Sequence, residues 1–267
     1  MIWPDDYQPW FDLGAEIREA ATRIVSTVQV RYSQLHGLNN PTIYAATLLF
    51  RTLHSYRATL SLARDGELVE ASIIARSCVE NVLWQRGLHQ RGMDFVQDIL
   101  GDGAKTEGAL AKLILGMPDV VLDENMRKLA QEQAEAKIKT RIEVGKITSS
   151  YPAAKEYAVF RMLSNNYAHP SMRSLDCHVV RSPKTGVYEL QMEPEAAPDR
   201  LLWTLFVASG AALTSVGLFL ETFEAQDRDR FLDLGHGETL QLLTEKLHGL
   251  GRAAGLDGSD QEQPIAS

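Results

Sequence analysis

At 267 residues, 45% of them hydrophobic and 23% charged, the chain is long enough to bury a sizeable core without disulfide staples. Its formal net charge of −8 argues against a protein that binds nucleic acid over its whole surface and leaves that role to a local basic cleft. The two cysteines, Cys78 and Cys177, lie far apart without CxxC spacing, which excludes a disulfide framework and a paired-cysteine zinc site; both are expected to be inert in a reducing cytosol.

The first residues, Met1 to Asp6, lack the basic and apolar regions of a signal peptide, so a cytoplasmic location is expected. From about Asp12 to Leu35, Leu13, Ile17, Ala20, Ile24, Val28 and Leu35 recur at three- and four-residue steps, the stripe of an amphipathic helix. Asn39-Asn40-Pro41 interrupts it, and Pro41 suits the first turn of a second helix running to about Arg64. Asp65-Gly66 supplies a left-handed stop, and the shortness of that connection folds a third helix, about Glu67 to Arg91, back against the second.

After Gly92 the pattern predicts a short helix to Leu100, a loop at Gly101-Asp102-Gly103, and another helical piece ending at Gly116-Met117-Pro118. Asp123 to Gly145 is highly charged but keeps Met126, Ala130, Ala134, Ile138 and Ile142 in phase, as a surface helix with one buried edge would. Ser149 to Pro152 reads as a helix start, followed by a helix from Ala153 to Ala168. It stops at His169, because a residue before proline avoids the α conformation. Residues 178–192, with Ser182-Pro183-Lys184-Thr185-Gly186 between two β-branched runs, predict a short β-hairpin.

Leu201 to Leu220 carries no charged residue over a length that reaches across a bilayer. Thr204, Ser209, Thr214 and Ser215 interrupt it, and no lysine or arginine cluster flanks it, so a core helix surrounded by others is the expectation, with membrane association as the rival. A last amphipathic helix spans about Glu238 to Leu250. The fold class is thus all-α: one multi-helix bundle over residues 1–253 with a single hairpin, and a polar, disordered tail at 254–267.

One segment holds more polar side chains than a core helix needs, Phe160 to Ser171. Arg161, Asn165 and His169 stand four residues apart in succession and share a drifting helical face. Arginine can fork onto a phosphate, histidine can act as acid or base near neutral pH, and Asn165 can orient either group. In the structural alternative His169 caps the last carbonyls and Ser171 caps the next turn. On the third helix Arg76 and Glu80 form an i,i+4 pair inside an apolar stripe framed by Ile73 and Leu83. They are expected to face and order the His169 segment, or simply to pin the helix register. Walker A, GxGxxG, HExxH and GxSxG patterns are absent, so no metal and no cofactor is expected.

The helix motif Ala75-Arg76-Ser77-Cys78-Val79-Glu80, followed by Leu163-Ser164 and His169-Pro170-Ser171, resembles a large bacterial family of helical proteins known only as a domain of unknown function. The resemblance covers roughly residues 35–220. More distantly, Ser164-Asn165-Asn166-Tyr167-Ala168-His169 resembles the active motif of HEPN-fold proteins, helical ribonucleases and nucleotide-binding proteins of toxin–antitoxin and phage-defence systems. There an arginine, often followed by asparagine, precedes a histidine. Here Asn165 and His169 match, Ser164 stands at the arginine position, and the nearest arginine is Arg161. The resemblance implies a HEPN-like bundle, metal-independent cleavage or binding of RNA or a nucleotide, a homodimer, and a protein partner such as an antitoxin. His169, Arg161 and Asn165 would be catalytic, with Ser164, Arg76, Glu80 and Ser171 in support. The alternative is a non-enzymatic binding or scaffold module in which the same residues knit helices together.

Overall fold

The structure is a computed structural model that describes residues 7–27, 37–136, 142–147, 153–169, 172–175, 178–182, 184–191, 198–226 and 236–256. The all-α class holds, with one two-stranded antiparallel hairpin. In chain order the helices are α1 (Gln8–Thr27), α2 (Pro41–Asp65), α3 (Leu68–Arg91), α4 (Met93–Leu115), α5 (Glu124–Glu135), α6 (Val144–Ile147) and α7 (Ala153–Leu163). A π-helical turn, Ser164–Ala168, continues α7; then come α8 (Met172–Leu175), β1 (Val179–Arg181), β2 (Tyr188–Leu190), α9 (Pro198–Gln226) and α10 (His236–Ala253).

The caps that delimit α2 follow from local chemistry. The Asn40 side chain accepts from the Thr42 backbone N–H at 2.8 Å, and Pro41 occupies the first turn. At the other end Gly66 adopts φ 89°, a left-handed conformation that turns the chain from α2 into α3 while its N–H and that of Glu67 satisfy the last carbonyls. Beyond Thr27, the expected remainder of the first helix, Val28 to Leu35, lies outside the described residues, as does the expected tail beyond residue 256.

α9 packs between α2, α3, α1 and α10 and supplies Leu201, Leu205, Ala208 and Ala212 to the main core. It has the length and composition of a membrane span, but 61% of its most apolar window is buried inside the protein. Two of its polar side chains find partners on the helices around it: Ser209 Oγ lies 2.8 Å from the Tyr56 hydroxyl, and Thr204 Oγ1 lies 2.9 Å from Ser72 Oγ. Gln85, fully buried on α3, donates to the carbonyls of Ala45 on α2 and Ser215 on α9 at 3.1 and 3.2 Å. Such bonds satisfy groups that hydrocarbon would leave orphaned, and α9 is a core helix of this bundle.

Two expectations are corrected. The loop at Gly101-Asp102-Gly103 does not exist: α4 runs unbroken through it. Each glycine costs ~1 kcal/mol in a helix interior, and tertiary bonds offset that here. Asp102 accepts the Ile142 N–H at 2.9 Å, and Gly108 lets the Gln133 carbonyl of α5 come within 2.7 Å of where a Cβ would stand. The buried edge expected between Asp123 and Gly145 is also missing from α5. None of its residues is buried and Met126 is exposed, because α5 meets α4 through backbone at Gly108 rather than through apolar side chains. Ile138 lies outside the described residues.

Cys78 is buried between α3 and α2, its thiol 3.7 Å from the Thr52 carbonyl, and burial pushes its pKa from 9.0 up to about 12. Burial raises the Tyr56 hydroxyl as well. Both groups hold protons that the unfolded chain releases, so their contribution to stability is intact below pH 9 and lost as pH rises through the folded values. Urea unfolding followed from pH 8 to 11 is expected to show stability falling by up to ~1.4 kcal/mol per pH unit for each such group, with a shallower fall in Cys78→Ala. Cys177 lies outside the described residues.

Candidate functional site

α7 lies antiparallel on α3 and is attached at both ends by arginines of α3. Near its start, Arg86 Nε donates to Glu156 Oε1 at 3.0 Å and Arg86 Nη2 donates to the same oxygen. Near its end, Arg76 Nε donates to Ser164 Oγ at 2.7 Å. Between these points Phe160 and Leu163 enter the core, and the Tyr157 and Phe160 rings stack 6.2 Å apart. Arg76 makes three contacts at once: Ser164, an ion pair from Nη1 to Glu80 Oε2 at 3.2 Å, and the face of Phe160, 4.4 Å below its guanidinium carbon. The Arg76–Glu80 pair is half-buried, and its arginine touches the segment that ends at His169 through Ser164.

The helix changes pitch at Ser164. Its buried hydroxyl donates back to the Phe160 carbonyl at 2.7 Å, and its own carbonyl accepts the His169 N–H at 3.2 Å, a five-residue step in place of four. Serine bonding back to its own helix loosens the ladder, and a widened turn is one outcome. The sequence before Pro170 forces the chain out of the helix, and His169 is extended at φ −116°, ψ 144°. The Ser174 hydroxyl of α8 donates to the His169 carbonyl at 2.6 Å, fixing the exit.

The expected catalytic residues all lie on the solvent side: Arg161, Asn165 and His169 are exposed. Arg161 has no ion pair among the described residues. The supporting residues lie beneath them, with Ser164 buried and Arg76 and Glu80 half-buried; Ser171 falls outside the described residues. Among the described residues no three His, Cys, Asp or Glu side chains gather as a metal site would require. What sequence reasoning missed is the Arg86–Glu156 tie: partners 70 residues apart on different helices leave no periodic signal. The arrangement is a half-buried guanidinium bound to the helix end that leads into the exposed His169, with Arg161 exposed earlier on the same helix and without an ion pair among the described residues.

No family model, curated protein or solved structure matches this chain.

Proposed function

We propose that this chain is a HEPN-like helical protein of a bacterial defence or stress system that binds or cleaves RNA, or another phosphorylated ligand, at the exposed end of α7. The observation that supports this reading is the joint at Ser164, whose side chain receives Arg76 and whose carbonyl receives the His169 backbone. Where the motif's arginine would stand there is a serine, and a guanidinium from α3 reaches that position instead. Cleavage would proceed by attack of the RNA 2′-hydroxyl on the adjacent phosphorus, expelling the 5′-oxygen. His169 takes or gives the proton and Arg161 stabilises the charge of the phosphorane, with Asn165 orienting the phosphate. No metal takes part in those steps. Such a protein would work in the cytoplasm as a homodimer, in company with a protein partner such as an antitoxin.

A non-enzymatic helical binding or scaffold role is the second reading. It is favoured by the engagement of Arg76 with Ser164, Glu80 and Phe160 together, as expected of a residue that knits helices.

Total RNA incubated in chelator with the purified protein and with His169→Ala separates the two. The catalytic reading expects fragments from the parent and a loss of ~100-fold or more in rate for the variant, at unchanged thermal stability because the imidazole is exposed. Identical RNA profiles for both proteins, with no growth defect on overexpression of either, would sink it.

A further inference from the structure

Until its last residue, Asp65, α2 carries only positive charge. From Pro41 to Arg64 it contains no aspartate or glutamate, while carrying Arg51, His54, Arg57 and Arg64 within a chain of net charge −8. Phe50, His54 and Arg57 stand at helical spacing on one exposed face of α2. Across from them α1 presents Arg18, Thr22, Val25 and Ser26, and the two faces enclose a groove of about 440 Å³. Leu53 and Val25 are its half-buried apolar parts, Phe50 is 46% exposed, and the cations lie around them.

Among the described residues the arginines of this groove have no acidic partner: no carboxylate lies within ion-pair distance of Arg18, Arg51, His54 or Arg57. Of the acids of α1, Asp12 accepts from Gln8 at 2.7 Å and Glu16 pairs with Lys246 of α10, while Glu19, next to Arg18 in sequence, is exposed and makes no ion pair among the described residues. Two guanidiniums around a half-apolar groove repel one another, and that like-charge cost falls when an anion enters, with the His54 imidazole beside them to hydrogen-bond it. The volume lies within the ~300–1,000 Å³ of ordinary small-molecule sites. A bare inorganic anion would leave Phe50, Leu53 and Val25 without a partner. A ligand with both an anionic end and a flat apolar end would satisfy the whole lining.

We propose that the α1–α2 groove is a binding site for a free nucleoside phosphate, its base against Phe50 and its phosphates on Arg18, Arg57 and His54. Forked arginine–phosphate bonds and base–aromatic stacking are the two interactions that such a lining provides. This site is separate from the end of α7 and does not depend on any chemistry at His169.

The test is calorimetric titration of the full chain with ADP, adenosine and inorganic phosphate, repeated with Arg57→Ala and Phe50→Ala and accompanied by photolabelling with 8-azido-ADP. Both substituted side chains are exposed, so thermal unfolding of the variants is expected to match the parent. ADP is expected to bind at least about tenfold more tightly than phosphate or adenosine, and each substitution to weaken it about tenfold, equivalent to ~1.4 kcal/mol. The label is expected on peptides of α1 and α2. Phosphate binding as tightly as ADP, an unchanged affinity in both variants, absence of ADP binding, or a label confined to residues 160–169 would each overturn the proposal.

Discussion

Arg86→Ala is expected to cost ~3–5 kcal/mol, because it removes one partner of a largely buried ion pair and leaves the other charge behind. The pair's side chains are 17% and 22% exposed, and Glu156 Oε2 is already buried without a hydrogen-bond partner among the described residues. Glu156 also lines an open, largely apolar groove of about 210 Å³ between α3, α7 and α9, walled by Val79, Val82 and Phe206. The loss should be local as well as global. In hydrogen exchange the amides of Ala153–Leu163 are expected to lose protection in this variant before those of α2, α3 and α9. Replacing both partners, Arg86→Met with Glu156→Met, is expected to recover most of the stability, since two apolar groups of similar size leave no orphaned charge. Urea unfolding of the single and double variants checks both statements. A single variant within ~0.5 kcal/mol of the parent would show that the Arg86–Glu156 tie contributes nothing to holding α7.

How far the sequence could be read follows the range of each interaction. The start of α2 at Pro41 and its stop at Asp65-Gly66 were legible because a cap is decided by residues within one turn of it. The Arg76–Glu80 pair was legible for the same reason, as partners four apart on one helix. Gly101 and Gly103 misled, because their local preference for a loop is outweighed by contacts with Ile142 and α5 that no local pattern announces. The uniform apolarity of α9 admitted a membrane or a core, and the partners of Thr204 and Ser209 on neighbouring helices, which no local pattern announces, favour the core. At the candidate site Pro170 announced where the helix ends, but not that it widens first. The π-helical turn depends on the Ser164 hydroxyl bonding back to Phe160 while accepting Arg76, and the second of those bonds comes from a helix 88 residues away in sequence.

That dependence makes Arg76→Ala the second large effect. The substitution removes a charge-assisted hydrogen bond, a half-buried ion pair and a cation–π contact, and is expected to cost ~2–4 kcal/mol. Arg76→Lys should recover only part of this, since an ammonium cannot lie flat on Phe160 while reaching both Ser164 and Glu80. Ser164→Ala is milder, at about 1 kcal/mol, because Arg76 keeps Glu80 and the ring. In a double-mutant cycle the two substitutions are expected to couple by ~1–2 kcal/mol, which a purely general loss of packing would not produce. Ser164→Arg tests the same joint from the other direction. It places the arginine of the HEPN motif in its usual sequence position, but in this fold that position is buried and already receives a guanidinium. Two cations and an overpacked turn are expected there, so this variant should unfold at lower urea than Ser164→Ala. If Ser164→Arg proved as stable as the parent, the idea that Arg76 occupies the place of the motif arginine would fail, whatever the activity of His169.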